Sequence, residues 1–178
     1  INFCKKISER GPDGKSTVPL LHKNKRYMNQ LSWTCTHFSS LTVNELYELL
    51  QVRSDVFVIE QQCIYPDLDS KDQKCYHLMG RIPETGELAA YARIVPPGIS
   101  YEEPSIGRVL TALKFRSNKF GKELLQRSIE AVESHYPSQP IRIGAQTYLR
   151  TFYTSFGFVE IGEPYDEDGI EHIEMVRE

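Results

Sequence analysis

The chain has 178 residues, of which 40% are hydrophobic and 25% are charged, the composition of an ordinary globular protein with one core. No stretch approaches the roughly 20 apolar residues of a membrane-spanning helix, and no apolar secretory signal opens the chain, so we expect a cytoplasmic protein without membrane partners. The cysteines at positions 4, 35, 63 and 75 show neither a CxxC pair nor histidines at metal spacing, which argues against a disulfide framework or a zinc site.

The formal net charge of -3 is unevenly distributed along the chain. Residues 1–30 carry seven Lys or Arg and two acidic residues, whereas the remainder carries 14 basic and 22 acidic residues, a net charge of -8. Because residues 1–30 also lack apolar periodicity, we expect a disordered basic extension or an artificial remnant there, followed by a single domain over residues 31–178. Their basic residues are scattered without interleaved aromatics, so we predict no nucleic-acid partner.

The first predicted helix begins at a capping-box pattern formed by Thr42 and Glu45 and ends near Arg53. The apolar run at residues 56–59 is too short to assign by periodicity, and it fits either an extension of this helix or the start of a strand.

The rest of the chain alternates short strands with two more helices. Tyr76–Ile82 and Glu87–Val95 predict a hairpin, and the elements that follow are a strand at Ser105–Thr111, a helix from Phe120 to Tyr136, a strand at Ile141–Gln146, a short helix at Tyr148–Ser155, and strands at Phe158–Ile161 and Ile170–Val176. This order predicts an α+β fold with a mostly antiparallel sheet, locally parallel where residues 105–146 cross over.

The junction between the strand at 105–111 and the helix from Phe120 has the character of a phosphate site. A loop of small or polar residues that enters a helix leaves backbone N–H groups unpaired, and the helix dipole favours an anion there. Arg116, Lys119 and Lys122 add positive charge, and no carboxylate cluster that could hold a metal lies nearby in the sequence. The junction therefore predicts an anionic, pyrophosphate-bearing cofactor and no metal.

Two segments resemble the signatures of the GNAT superfamily of N-acetyltransferases. Residues 116–121 (RSNKFG) are similar to its phosphate loop, Arg/Gln-x-x-Gly-x-Gly/Ala, except that Lys119 stands at the first glycine. A lysine there can give its amide to a phosphate provided that its backbone is not in the region that glycine favours. Residues 144–158 look like the later signature, with Gln146 at the place of an Asn and Tyr153 ahead of Gly157-Phe158.

Within that superfamily, the chain resembles the ElaA-like group over about residues 32–178. Shared segments include QVR at 51–53, VFVIEQ at 56–61, AYAR at 90–93, IGRV at 106–109 and EDGI at 167–170 with His172. The resemblance implies acetyl-CoA as co-substrate and acyl transfer as the reaction, but it leaves the acceptor open.

The resemblance also implies the cofactor contacts. Backbone groups of Val109, Leu110 and Thr111 would bind the pantetheine arm and the thioester carbonyl, because strand splaying leaves them unpaired; the alternative is an ordinary ladder strand. The other expected cofactor-binding residues are Arg116, Ser117, Asn118, Lys119, Phe120, Gly121, Lys122 and Gln146.

Acetyl transfer to an amine needs a proton for the departing thiolate and a group that deprotonates the amine. For the thiolate we expect Tyr153, whose alternative role is that of a core residue with a satisfied hydroxyl. For the amine three alternatives stay open: Glu60, His77, which could instead be a hydrogen-bonded core residue, and a water relay. His172 could line the acceptor pocket.

Five further charged residues lie near these segments. Arg93 and Arg108 occur in apolar strands, where they would bridge to a carboxylate or hold an acidic acceptor. Asp67, Asp69 and Asp72 lack the glycine and closing glutamate of a calcium loop, so we predict a solvated loop.

Together these features predict an enzyme that transfers an acetyl group from acetyl-CoA to a primary amine of a small molecule or peptide, directly within a ternary complex. No covalent intermediate is expected, because Cys63 and Cys75 lie outside both signature segments. The alternative is a catalytically silent acyl-CoA-binding sensor. A homodimer is compatible with the sequence, which does not decide the oligomeric state.

Overall fold

A computed structural model describes residues 30–178, so the predicted extension lies outside the described residues except for its last position. These residues form one seven-stranded sheet with strand order β1-β2-β3-β4-β5-β7-β6. The strands are β1 Ser32–His37, β2 Tyr76–Arg81, β3 Leu88–Val95, β4 Ser105–Thr111, β5 Ile141–Gln146, β6 Val159–Glu167 and β7 Ile170–Arg177. The helices are α1 Val43–Arg53, α2 Phe120–His135 and α3 Arg150–Thr154, with a π-helical segment at Ser54–Glu60 after α1.

The predicted α+β fold is confirmed, including the place where the sheet changes direction. Neighbouring strands are antiparallel except β4 and β5, which pair in parallel through Ser105 and Arg142 and are connected by the crossover helix α2. The capping box of α1 is also present: the Glu45 amide donates to Thr42 Oγ1 at 3.2 Å, and the Thr42 amide donates to Glu45 Oε2 at 2.9 Å.

One strand was not predicted from the sequence, and one run that the sequence left ambiguous proves to be helical. β1 is a short edge strand that the sequence analysis did not predict, and it is held by pairing with β2. The apolar run at 56–59 continues the first helix in π form, with the Gln61 amide donating to the Val56 carbonyl at 3.3 Å.

The two faces of the sheet are covered differently. One face packs against α2 and α3 in the main core, to which Leu124 and Ile143 belong. On the opposite face, α1 and the π-helical segment pack over β2–β4 in a second cluster: Leu49, Val56, Met79, Leu88, Tyr91 and Leu110. β5 alternates between buried Ile143 and Ala145, which face the main core, and the less buried Gly144 and Gln146, which face the other way. The second face is therefore polar over β5 and β7, and this is where the cavity lies.

Candidate active site

A cavity of about 580 Å³ lies where β4 and β5 diverge. These strands pair only at Ser105 and Arg142, so the gap between them widens toward their carboxyl ends. β4 lines the cavity from Ser105 to Thr111, and β5 contributes Gly144 and Gln146. The structure thus places a wedge-shaped opening at the strand that the sequence singles out.

A bulge in β4 shapes this opening. Arg108 and Val109 together lie opposite Ala92 of β3, and Arg108 has a φ of 54°. Pairing with β3 resumes at Leu110 and Thr111. On the β5 side the same residues are not part of a ladder, so β4 is splayed rather than an ordinary ladder strand, and its backbone faces the cavity.

The segment at residues 67–72 is a loop, but the prediction that it is solvated was wrong. Asp72 is 5% exposed, and its Oδ1 accepts from Arg53 at 2.7 Å and from Arg93 at 3.0 Å. Arg93 also donates to both oxygens of Asp69, at 2.7 and 2.6 Å. The buried arginines require these carboxylates, because an unpaired charge is costly in a low-dielectric interior.

Asp67 joins this ion network to the bulge. Arg108 Nε donates to Asp67 Oδ1 at 2.7 Å, while Arg53 Nε donates to Asp67 Oδ2 at 2.9 Å. Arg93 and Arg108 are therefore paired with carboxylates, which is the first of the two roles that the sequence predicted for them. Burial alone would raise the pKa of Asp72, but its hydrogen bonds and the charges of Arg53 and Arg93 outweigh burial and lower it.

The start of α2 carries an unusual backbone conformation. Lys119 has φ 62° and ψ 26°, which is the left-handed region that glycine favours. We expected a lysine at this position to bind a phosphate only if its backbone lay outside that region, and it lies inside it. No side chain caps the helix, and its first amides therefore lack a capping acceptor. Ser117, Asn118 and Lys122 lie on the same junction, whereas the Phe120 ring is buried in the core and only its backbone can serve a ligand.

Arg116 and Glu60 form a bidentate ion pair across the cavity edge. Arg116 lines the cavity, and its Nε also donates to the Thr111 carbonyl at 3.3 Å. Glu60 is outside the cavity lining, with its side chain 13% exposed. The structure thus gives Glu60 an ion-pair role at the junction.

Tyr153 lies at the inner wall of the cavity. It is 7% exposed, and its ring packs edge-on against Phe152 and Phe158. Its hydroxyl makes no hydrogen bond to any residue within 30–178. Burial raises its pKa, so the phenol stays protonated at neutral pH. The geometry differs from the alternative of a core tyrosine with a satisfied hydroxyl.

His77 does not contribute to the cavity lining. It is fully buried, with Nδ1 2.8 Å from the Tyr91 hydroxyl and Nε2 3.2 Å from the Asp72 carbonyl. Burial lowers its pKa, although the Asp72 contacts act in the opposite direction. These contacts are those of the hydrogen-bonded core residue that the sequence allowed as an alternative.

The polar floor of the cavity includes residues that sequence reasoning did not single out. A Cβ at Gly144 would lie 2.9 Å from the Tyr165 hydroxyl and 3.2 Å from the Tyr101 hydroxyl, so both oxygens lie over this glycine. The acidic tip between β6 and β7 brings Glu167 and Asp168 to the same cavity. The sequence signal that could have identified this floor is the set of polar residues that alternate with apolar residues along β5 and β7.

Within residues 30–178, no group of three or more His, Cys, Asp or Glu residues is arranged to hold a metal ion. Over the same residues, none of the helices combines the length and apolarity that crossing a bilayer requires.

Residues 50–178 match the family described as Acetyltransferase (GNAT) domain. The ElaA protein of Escherichia coli K12 is 43% identical over 150 residues, which cover 83% of this chain and 97% of ElaA. A UPF0039 protein of Synechocystis is 40% identical over 147 residues, covering 83% and 95%. A crystal structure of an acyl-CoA N-acyltransferase from Pseudomonas aeruginosa superposes with a TM-score of 0.79 at 39% identity, covering 84% of this chain and all of that one.

The fold is that of the GNAT acetyltransferases, and the chain belongs to this family. Within this family its relatives include the ElaA proteins, as the resemblance of its sequence segments predicted.

Proposed function

We propose that this protein transfers an acetyl group from acetyl-CoA to a primary amine, by direct transfer within a ternary complex. The observation that carries this proposal is the splayed β4, which pairs with β5 only at Ser105 and lines one cavity together with Arg116 and Tyr153. Membership of the GNAT family supports acyl transfer in general. The acetyl group, the amine and the direct mechanism are our proposal.

The residues of the junction fit coenzyme A. The first amides of α2, including those of Gly121 and Lys122, have no intrahelical acceptor and suit a diphosphate, next to the exposed side chains of Lys119 and Lys122. The backbone of Val109, Leu110 and Thr111 would hold the pantetheine arm, with Gln146 across the gap. Arg116 would add charge at the cavity edge while Glu60 fixes its side chain.

Tyr153 would supply the proton that the thiolate needs as it leaves. A buried phenol with a raised pKa keeps its proton at neutral pH, so it can donate to the sulfur as negative charge develops there. Tyr153 lines the cavity, and its hydroxyl has no competing hydrogen bond from the described residues, so it would be available to that sulfur.

Direct transfer is supported by the state of the cysteine nearest the site. Cys63 lines the cavity, but its Sγ donates to the Asp168 carbonyl at 3.2 Å. Burial and the carboxylates of the acidic tip raise its pKa. A thiol held neutral in this way is a poor nucleophile.

The second candidate function is an acyl-CoA sensor without turnover. It is favoured by Lys119, whose left-handed backbone stands where the family has glycine. Acetyl-CoA should raise the melting temperature in both cases, because a ligand that binds only the native state stabilises it. Thiol release over a panel of small-molecule and peptide amines separates the two, since a sensor releases none.

Replacement of Tyr153 by phenylalanine tests the proposed role of its hydroxyl. We expect Tyr153→Phe to lower kcat by about 10²-fold or more, while the thermal shift with acetyl-CoA is unchanged. Tyr47→Phe is the matched control, because Tyr47 is 72% exposed on α1 and outside the cavity lining. Full activity in Tyr153→Phe, or loss of cofactor binding, would contradict the proposed role.

A further inference from the structure

His172 lies on the polar floor of the cavity. It is directly opposite Gln146 in the pairing of β5 with β7, and cross-strand partners share a face of the sheet. Its side chain is 13% exposed and belongs to the cavity lining. This imidazole is therefore accessible to an acceptor molecule that enters between β4 and β5.

The hydrogen bonding of His172 determines which ring nitrogen carries the proton. Nδ1 lies 2.8 Å from the backbone carbonyl oxygen of Ile170. A carbonyl oxygen can only accept, so Nδ1 must be the donor, and in the neutral ring Nε2 then has a free lone pair. No group among residues 30–178 hydrogen-bonds to Nε2.

His77, the other histidine near the centre of the sheet, differs from His172 in its hydrogen bonds and its burial. Both nitrogens of His77 have partners, and its side chain is fully buried. Of these two imidazoles, only that of His172 can receive a proton from a molecule in the cavity.

Groups from the neighbouring elements surround this ring. Glu167 Oε2 lies 3.9 Å from Nδ1, and the Tyr165 ring stacks on the imidazole with centroids 6.0 Å apart. Gln146 faces it from β5, and Asp168 is the other carboxylate of the tip that lines the cavity. The Ile170 carbonyl holds the ring in the required tautomer, and Glu167 is placed to pair with the imidazolium that forms when Nε2 takes a proton.

We propose that His172 Nε2 is the general base that takes the proton from the acceptor amine. This inference rests on the proposed function. The acceptor enters as an ammonium ion, and Nε2 takes one of its protons before attack. The neutral nitrogen then bonds to the thioester carbon, the C–S bond breaks, and the sulfur takes the proton of Tyr153. The phenolate regains a proton from the acylated nitrogen and the imidazolium releases its proton to solvent, so that one proton passes from the ammonium to the thiol and one to solvent.

The tautomer is measured directly by ¹⁵N NMR of the histidine rings, with His172→Gln used to assign the signal. We expect neutral His172 to be protonated on Nδ1 and unprotonated on Nε2. A proton on Nε2 of the neutral ring would overturn the proposal, whatever the enzyme's activity.

The kinetic test uses two probe amines of similar size, methylamine and hydroxylamine. At neutral pH methylamine is largely protonated and needs a base, whereas hydroxylamine is largely unprotonated. We expect His172→Gln to lower kcat/KM for methylamine by about 10²-fold, and for hydroxylamine by less than about tenfold. Equal losses with both amines, or no loss, would overturn the proposal, because a merely structural role does not depend on the amine's protonation.

Two controls separate failure of this inference from failure of the proposed function. His135→Gln removes an exposed imidazole on α2 and should leave both rates unchanged. Added imidazole should restore part of the methylamine rate in His172→Gly. If the wild-type enzyme is active and His172→Gln is equally active, only the base is wrong; if wild type transfers acetyl groups to no amine, the proposed function itself fails.

Discussion

The face of the sheet that carries α1 has two halves of opposite character. Over β2–β4 it is closed by α1 and the π-helical segment, which bury Met79, Tyr91 and Leu110. Over β5 and β7 the same face presents Gln146 and His172 to a cavity. The two halves of one continuous sheet therefore have different roles: burial stabilises the first half, and exposure leaves polar groups available for chemistry in the second.

The largest expected effect lies in the closed half. Asp72→Asn removes the carboxylate shared by Arg53 and Arg93, and we expect a loss of about 3–5 kcal/mol in the free energy of unfolding, because two buried guanidinium groups lose a partner. Urea denaturation measures this loss. Glu84→Gln, at an exposed turn residue, is the control and should change little.

Asp72→Asn should also change how the stability of the fold depends on pH in acid. Because the folded-state pKa of Asp72 is lowered, this carboxylate contributes stability above its unfolded pKa, about 3.9, and the contribution is lost as the pH falls through the folded value. Stability of the wild type should therefore fall below about pH 4, and Asp72→Asn should show a weaker dependence there. If Asp72→Asn loses as much stability in acid as the wild type does, Asp72 contributes little of this stability.

A smaller effect on stability is expected in the open half, where function should change instead. Gly144→Ala adds a methyl group about 3 Å from the hydroxyls of Tyr101 and Tyr165, which must move away from the cavity floor. We expect kcat/KM for amines to fall at least tenfold, with a stability change below about 1 kcal/mol, because the displaced groups lie at an open surface. A large loss of stability with unchanged kinetics would contradict the functional role that we assign to the open half.

The smallest expected effect concerns the start of α2. A left-handed lysine costs roughly 1–2 kcal/mol, so Lys119→Gly should stabilise the fold by up to about 1 kcal/mol after the entropy of glycine is subtracted. Lys119→Ala removes the same charge without relieving the backbone, and it serves as the control. Equal stabilities of the two variants would show that the left-handed conformation carries no cost.

Most of the fold was predictable because its signals are local. The capping box marked the start of α1, and the ends of β4 and β5 followed from short apolar runs bounded by turn residues. β1 was missed because an edge strand of mixed polarity is defined by its partner rather than by its own pattern.

The sequence by itself determined the family, the order of the helices and strands after β1, and the junction at 116–122, since each depends on neighbours in the chain. Only the tertiary structure decided that Asp67, Asp69 and Asp72 pair with arginines from α1, β3 and β4. It also decided that His77 is enclosed, whereas His172 lines the cavity and its Nε2 has no hydrogen-bond partner among residues 30–178. The physical reason is that burial and hydrogen-bond partners arise between segments distant in the chain, and these determine whether a charged or titratable group stabilises the fold or can react.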